Sequence, residues 1–183
     1  MIRLAAGQKA PDFTTKGFLP GKTESVNMRI TWSWQSFDAL AAADLYDILR
    51  LRQDVFILEQ SSLYADIDGR DPEAWHLAGH SNDGRLAAYM RVFPVVAQAA
   101  ETTLGRFVVA PWARGIGLAR DMMDRCLGWV AGHAPEAPIR ISAQAHLEAF
   151  YRGYGFAATG DAYDDAGVPH VDMIRAASGG GIP

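Results

Sequence analysis

Hydrophobic and polar positions change their period several times along the chain, and each change marks an expected element. Alternating residues in "RITWSW" predict a half-buried strand near Ile30–Trp34, and apolar residues at helical spacing predict a helical segment over residues 39–59. "AWHLAGH" and "RLAAYMRVF" predict the two strands of a hairpin, because Asp83-Gly84 between them favours a tight turn. A long polar stretch, "SSLYADIDGRDPE", separates the helical segment from the hairpin and suggests a functional loop.

The second half of the chain alternates strands with helices. "TTLGRFVV" and "IRIS" predict strands on either side of a helix over residues 115–132, which has an apolar stripe at every fourth position. The stripe consists of Leu118, Met122, Cys126 and Val130. A short helix is expected over residues 146–154, followed by strands in "FAATG" and "HVDMIRA" joined by a turn through residues 164–169. This order predicts an α/β (α+β) fold, in which helices cover a mixed sheet.

Composition narrows the class of protein. The chain has 183 residues, of which 49% are hydrophobic and 21% charged, so one domain with a substantial core is expected. No window approaches the roughly 18 apolar residues of a membrane span, and the start lacks the apolar region of a secretory signal. The single cysteine suits a reducing cytoplasm. A net charge of −4 gives no reason to expect a nucleic acid or a membrane as partner.

A change in composition near residue 28 divides the chain. Residues 1–27 hold all three lysines, are rich in Gly, Pro and Thr, and show no sustained periodicity. We expect them to form a loosely ordered extension, with Met28 as the natural start; a targeting or interaction arm is the alternative. Residues 28–177 are expected to form the domain, and residues 178–183, "SGGGIP", a flexible tail.

Two glycines, Gly115 and Gly117, stand where the second predicted helix begins, in "GRFVVAPWARGIGLARDMM". A Walker phosphate loop needs a lysine that is absent here, and Arg120 occupies the third glycine position of a dinucleotide fingerprint. The pattern R-x-x-G-x-G/A does fit residues 114–119. Bare amides at a helix N-terminus bind phosphate, and the preceding strand offers edges to an amide-bearing arm. Phosphate plus an amide arm describes coenzyme A; a simple tight turn is the alternative.

With these residues the sequence resembles the GNAT superfamily of N-acetyltransferases. "QAHLEAFYRGYGF" loosely fits a second pattern of that superfamily, A-x-x-x-Y-x-x-x-G-F, through Tyr151, Gly155 and Phe156. Four stretches in order resemble its ElaA branch, and they extend over residues 30–176. They are "LRLRQDVFILEQ", "YADIDGRDPEAWHL", "AQAHLEAFYRGYGF" and "GVPHVDM".

The resemblance implies a fold, a co-substrate and a reaction. It implies a mostly antiparallel sheet of about seven strands flanked by helices on both faces, acetyl-CoA as co-substrate, and no metal. It also implies direct transfer of the acetyl group to a primary amine in a ternary complex, with Tyr151 as general acid. Gln144 stands where the family usually has asparagine, so its reach toward the coenzyme differs. The implied coenzyme-binding residues are Phe107, Val108, Val109, Arg114, Gly115, Ile116, Gly117, Leu118, Ala119 and Gln144.

The acceptor site and the general base are less sharply defined by the sequence. The candidate acceptor-binding residues are Asp66, Asp68, Asp71, His76 and His170. The three acids would attract a cationic amine, unless Arg52 pairs with them, in which case the group is mainly architectural. Further candidate bases are Glu59 and His146, whereas Tyr154 and Cys126 are expected to be structural.

Two other functions stay open at this point. The spacing of Arg52, Phe56, Asp66, Asp68 and Arg91 faintly resembles acyl-homoserine-lactone synthases, which transfer an acyl chain to S-adenosylmethionine. A non-catalytic acyl-CoA-binding protein would keep the glycine turn without needing the tyrosine. The acceptor is a small-molecule or peptide amine in the favoured interpretation, and a homodimer is a fair expectation for such a protein.

Overall fold

A computed structural model describes residues 28–95 and 100–177; the predicted extension 1–27 and tail 178–183 lie outside the described residues. The strands are β1 (Ile30–Ser36), β2 (Trp75–Ser81), β3 (Leu86–Phe93), β4 (Thr102–Val109), β5 (Ile139–Gln144), β6 (Ala157–Ala158), β7 (Tyr163–Asp165) and β8 (Val168–Arg175). The helices are α1 (Ala42–Arg52), α2 (Leu118–His133) and α3 (Glu148–Arg152).

The strands form one sheet in the order β1-β2-β3-β4-β5-β8-β6, with β7 also paired to β8. Every pairing is antiparallel except β4 with β5, so the predicted mixed, mostly antiparallel sheet is confirmed. The sheet has eight strands rather than about seven. The additional strand is β7, which turns into β8 through Ala166 and Gly167, both at positive φ.

Helices cover both faces of the sheet, as expected. On β2 the neighbouring residues Trp75 and His76 point to opposite faces. The ring of Trp75 packs against Trp129 of α2, with centroids 5.6 Å apart. His76 donates to Asp71, which in turn binds Arg52 at the end of α1. The core therefore lies on both sides of the central strands.

The first helical segment changes its winding partway along. After α1, residues Gln53–Glu59 widen into a π-type turn, in which the N–H of Gln60 donates to the carbonyl of Val55 at 3.0 Å. The sequence predicted a single helical segment over residues 39–59, because periodicity alone does not separate the two windings. Such widenings are frequent at functional sites, and this one places Glu59 and Gln60 near the site described below.

The second and third helices differ from their predicted bounds at the ends. The apolar stripe of α2 is buried as predicted, and Cys126 lies in the core, where burial raises the pKa of its thiol to about 12. The helix begins at Leu118 rather than residue 115, because Gly117 has a positive φ that does not fit a helix. The segment predicted over residues 146–154 is a 3₁₀ turn, Ala145–Leu147, followed by α3.

The parallel strands β4 and β5 separate soon after they begin. Among the described residues they pair only through Thr102 and Thr103 of β4. Between Gly105 and Val108, β4 has one residue more than the facing part of β3, and Arg106 there adopts a left-handed φ of 55°. A bulge of this kind bends a strand. The result is a gap between the two strands, with the β5-facing edge of β4 unpaired along most of its length.

Candidate active site

A cavity of about 340 Å³ occupies the gap between β4 and β5. Its walls come from both strands, from residues 56–70 after α1, from α3, and from the β7–β8 hairpin. The volume suits a small molecule. Of the predicted site residues, this cavity brings together Asp68, Phe107, Gln144, Tyr151 and His170.

Tyr151 projects from α3 into one wall of the cavity and is only 6% exposed. Its ring packs edge-on against Phe107, Phe150 and Phe156, with centroids 6.1, 5.2 and 5.8 Å away. No described residue hydrogen-bonds its hydroxyl. Burial raises the pKa of Tyr151 well above its usual value, so the phenol is neutral at physiological pH and carries a proton that it can donate.

His170 faces Gln144 across the β5–β8 pairing, and both side chains line the cavity. The Nδ1 of His170 lies 2.8 Å from the carbonyl oxygen of Val168. Because a carbonyl only accepts, Nδ1 carries the hydrogen in the neutral ring, and Nε2 keeps a lone pair for a substrate proton. Gln144 donates from Nε2 to Oε1 of Gln60 at 2.9 Å, so the end of the π-type turn holds its amide.

The glycine turn ends at the N-terminus of α2, where the N-cap residue is Gly117 and therefore supplies no side-chain cap. Gly115 and Gly117 have φ values of 82° and 91°, which favour glycine, and a Cβ on either would meet no atom within 4 Å. The N–H groups of Arg120 and Asp121 already donate to the carbonyl of Gly117. The N–H of Leu118, in the first turn of α2, has no acceptor within the helix. The glycines therefore permit the tight turn and place no side chain over the start of α2.

Arg114, just before the glycine turn, is paired with Glu59. Its guanidinium donates to both carboxylate oxygens of Glu59 at 2.8 and 2.9 Å, and its Nε donates to the carbonyl of Val109 at 3.2 Å. The hydrogen bond from Arg114 lowers the pKa of Glu59, which makes that carboxylate a weaker base. The pair connects the end of the π-type turn to the glycine turn.

Arg52 lies fully buried beneath the cavity and pairs with two of the predicted acceptor acids. It donates from Nε to Oδ2 of Asp66 at 2.9 Å and from Nη1 to Oδ1 of Asp71 at 2.8 Å. A third bond, at 2.7 Å, goes to the backbone oxygen of Asp66. Both acids are themselves buried. The architectural alternative for this group is therefore favoured by the structure.

Two further arginines complete the network. Arg91 donates to both oxygens of Asp68 and, at 2.8 Å, to Asp71. Arg106 lies 2.6 Å from Oδ1 of Asp66 and 3.4 Å from Asp68. The hydrogen bond from Arg91 is the main reason that the pKa of Asp68 falls well below its usual value. Three carboxylates thus face three guanidinium groups, so the predicted anionic pocket is neutralised from within.

His76 does not reach the cavity, contrary to the expectation that it lines the acceptor site. It is 1% exposed, its Nε2 donates to the carbonyl of Asp71 at 3.1 Å, and its Nδ1 accepts from the hydroxyl of Tyr89 at 2.8 Å. Burial lowers the pKa of His76, which keeps the ring neutral. Both nitrogens are therefore used inside the protein, because β2 turns this position toward the core.

The same arrangement of elements occurs in known proteins. The family model described as an acetyltransferase (GNAT) domain matches residues 52–176. The chain belongs to the GNAT family. The ElaA protein of Escherichia coli is 34% identical to it over 148 residues, which are 80% of this chain and 96% of ElaA. The crystal structure of that ElaA matches with a TM-score of 0.75, covering 80% of this chain and 99% of its own.

Two other solved structures share this fold. A Pseudomonas aeruginosa protein described as an acyl-CoA N-acyltransferase is 35% identical, with a TM-score of 0.76, and covers 81% of this chain and all of its own. The acyl-homoserine-lactone synthase LasI has a TM-score of 0.67, covers 80% of this chain and 89% of its own, and is 12% identical. The likeness to LasI shows the fold alone. GNAT proteins use acyl-CoA as co-substrate.

Sequence reasoning missed the roles of Arg91 and Arg106 in this GNAT site. Arg91 lies in the apolar run "YMRVF" and Arg106 in "GRFVV". An arginine inside an apolar strand needs a buried partner of opposite charge. The positions of these two arginines were therefore a signal that the acidic loop folds against the strands. Within residues 28–95 and 100–177, no cluster of His, Cys, Asp or Glu could hold a metal ion. In the same ranges, no helix has the length and apolar character needed to cross a bilayer.

Proposed function

We propose that this protein is an N-acetyltransferase that moves an acetyl group from acetyl-CoA to a primary amine within a ternary complex. One observation carries the proposal. Strand β4, whose edge facing β5 is largely unpaired, leads through residues 110–117 to the N-terminus of α2, and it also borders the cavity that Tyr151 lines. The strand edge would face the amide arm of acetyl-CoA, the helix N-terminus its pyrophosphate, and the cavity its thioester. The Pseudomonas aeruginosa relative described as an acyl-CoA N-acyltransferase supports the same chemistry.

In this proposal the coenzyme lies along the gap between β4 and β5. Backbone groups of residues 107–109 pair with the pantetheine arm, and the amides of residues 115–119 bind the pyrophosphate. Backbone N–H groups at the bulge polarise the thioester carbonyl as negative charge develops on its oxygen. Gln144, already held by Gln60, borders the same gap. Arg114 reaches the pyrophosphate only by leaving Glu59.

The proposed transfer needs one acid and one base. The neutral amine attacks the thioester carbon, the new C–N bond forms, and the C–S bond breaks. Tyr151 gives its proton to the departing sulfur, and Nε2 of His170 takes the proton that the amine loses. The free Nε2 lone pair and the unpartnered tyrosine hydroxyl are the features that support these roles.

The decisive experiment is a thiol-release assay with acetyl-CoA and a panel of amines. The panel contains amino acids, lysine peptides, polyamines, aminoglycosides and S-adenosylmethionine, with a long-chain acyl donor in parallel. We expect amine-dependent release with acetyl-CoA, and a lower kcat in a His170→Asn variant. Tight coenzyme binding by calorimetry without release from any amine would instead indicate a non-catalytic acyl-CoA-binding protein. Release only with S-adenosylmethionine and a long acyl chain would indicate a synthase like LasI.

Replacing Gly117 with valine is expected to raise the KM for acetyl-CoA by more than about tenfold. A β-branched side chain at φ 91° is strained by about 1–2 kcal/mol, and it also covers the open amides of α2. Steady-state kinetics measure the KM, and urea unfolding measures the strain separately. The matched control is Gly84→Val, at φ 81° in the β2–β3 hairpin, where an added Cβ likewise meets no atom within 4 Å. If Gly117→Val loses as much stability as the control and its KM for acetyl-CoA is unchanged, the coenzyme does not bind at this turn.

A further inference from the structure

We propose that the amine acceptor carries a carboxylate group, which Arg106 and Arg91 bind in the cavity between β4 and β5. The inference rests on the proposed function, because it names the class of amine that this cavity takes. An amino acid, with its amine and carboxylate on one small molecule, is the simplest member of the class. The cavity volume of about 340 Å³ accommodates a molecule of that size.

The first observation is the backbone of Arg106. A non-glycine residue at φ 55° costs about 1 kcal/mol or more, which glycine would avoid. The β4 bulge turns this side chain toward the cavity, where it is 20% exposed. Strain held at a residue that lines a cavity points to a function for the side chain. Here that side chain is a cation.

The second observation is an unused N–H donor. Arg91 is 3% exposed and lines the cavity, and its Nε has no hydrogen-bond partner among the described residues. Arg106 is paired through its Nε with Asp66 at 2.6 Å, and its Nη2 donates to the carbonyl of Asp66 at 3.1 Å and to Asp68 at 3.4 Å. Meanwhile Asp68, the acid that lines the cavity, already accepts from Arg91 and from the backbone of Arg70. A bound carboxylate would bring the oxygen atom that the Nε of Arg91 lacks.

The third observation is the space in front of Arg91. A Cβ on Gly105 would lie 3.9 Å from Nε of Arg91, and no other atom lies within 4 Å of that Cβ. Glycine at position 105 therefore leaves the approach to this donor open. Arg106 also directly precedes Phe107, whose ring packs against Tyr151. The cation and the proposed acid thus border neighbouring parts of the cavity, as an amine and a carboxylate on one small molecule require.

Polycationic acceptors fit this cavity poorly. Asp66 and Asp68 are paired with Arg52, Arg91 and Arg106, so neither offers an unpaired charge to an ammonium group. A polyamine or an aminoglycoside would bring several ammonium groups next to these guanidinium groups. In this proposal the acceptor has one reacting amine and an anionic group.

The test compares acceptors that differ only in the carboxylate. Glycine, alanine, leucine and phenylalanine are each assayed beside the corresponding carboxamide and decarboxylated amine, with acetyl-CoA as donor. Rates are expressed per fraction of neutral amine, because the three forms ionise differently. We expect kcat/KM to favour the carboxylate by at least about tenfold. Arg106→Gln should raise the KM for the carboxylates by about 10- to 100-fold more than it raises the KM for the carboxamides. Arg50→Gln, at an exposed arginine of α1, is the control.

Further variants and a binding measurement keep the outcomes distinct. Arg106→Gly removes the cation and relieves the backbone strain, and Gly105→Ala fills the approach to Arg91; both should reduce the carboxylate preference in folded protein. Equal activity with carboxamides and carboxylates would overturn the inference while the proposed function stands. If no amine releases thiol, the proposed function fails, and the carboxylate site is then tested by measuring the binding of N-acetyl amino acids by calorimetry. Binding to the native protein that is lost in Arg106→Gln would support the site. Absence of binding to the native protein would overturn it.

Discussion

Replacing Tyr151 with phenylalanine is expected to lower kcat for acetyl transfer by about 10²- to 10⁴-fold, while the KM for acetyl-CoA stays within about twofold. Tyr151 lines the cavity, and no described residue hydrogen-bonds its hydroxyl. Without its proton, the sulfur of the coenzyme must depart as a thiolate. The measurement is thiol release at saturating amine and coenzyme.

The variant should fold normally, because the packing contacts of Tyr151 are made by its ring rather than by its hydroxyl. Phe107, Phe150 and Phe156 contact the ring edge-on, and phenylalanine preserves these contacts. The matched control is Tyr154→Phe, three residues along the chain, whose hydroxyl lies outside the cavity. We expect that control to keep its kcat, so a loss confined to position 151 would report the hydroxyl rather than the helix.

Burial has two opposing effects on Tyr151 as an acid. It raises the pKa of the phenol, which weakens the acid, and it also raises the pKa of a departing thiolate in the same site. The difference between the two pKa values, rather than either one alone, governs the proton transfer. The raised pKa also means that Tyr151 stays protonated across the assay range, so the pH–rate profile should keep its shape in the variant. Full turnover by Tyr151→Phe would exclude the proposed role.

Much of the fold could be predicted because its signals are local. The stripe on α2, the hairpin at Asp83-Gly84 and the glycine turn each depend on residues close together in sequence, and the structure contains all three. The strand β7 was missed because its turn through Ala166 and Gly167 lacks the usual Asn-Gly or Asp-Gly pair. The π-type turn after α1 was missed because its apolar residues fit an α-helix equally well.

The candidate site was harder to predict because its charges pair over long distances in sequence. Arg52 is 14 residues from Asp66, and Arg91 is 23 residues from Asp68. Composition shows that the loop is acidic, but not that three arginines fold against it. His76 illustrates the same limit, since strand alternation gives two faces without saying which one meets the cavity.

Replacing Arg52 with alanine is expected to lower the free energy of unfolding by about 3–5 kcal/mol, the largest stability effect that we expect from one substitution. The change leaves Asp66 and Asp71 buried after removing the guanidinium that both contact at 2.8–2.9 Å. Arg52→Met retains most of the buried volume, so a similar loss in that variant would assign the effect to charge rather than to a cavity. Urea unfolding at neutral pH measures both.

The control for this prediction lies two residues earlier on the same helix. Arg50 pairs with Asp47 at 2.9 Å, but its side chain is 62% exposed, so Arg50→Ala should cost about 0.5 kcal/mol or less. A loss of less than about 1 kcal/mol in Arg52→Met would contradict the idea that the network needs its central cation. Such a result would also weaken the acceptor proposal, because Asp66 would then be free to pair fully with Arg106.

The dependence of stability on pH tests the same network from its carboxylate side. The pKa of Asp68 is lower in the folded protein than its unfolded value of about 3.9, chiefly because Arg91 donates to it. Its contribution is therefore complete above that unfolded value and declines as the pH falls below it. We expect the free energy of unfolding of the native protein to fall on acidification from about pH 5 downward. Asp68→Asn should be less stable at neutral pH and show a shallower decline, because asparagine has no proton to gain. An equally steep decline in that variant would place the acid-sensitive carboxylate elsewhere in the protein.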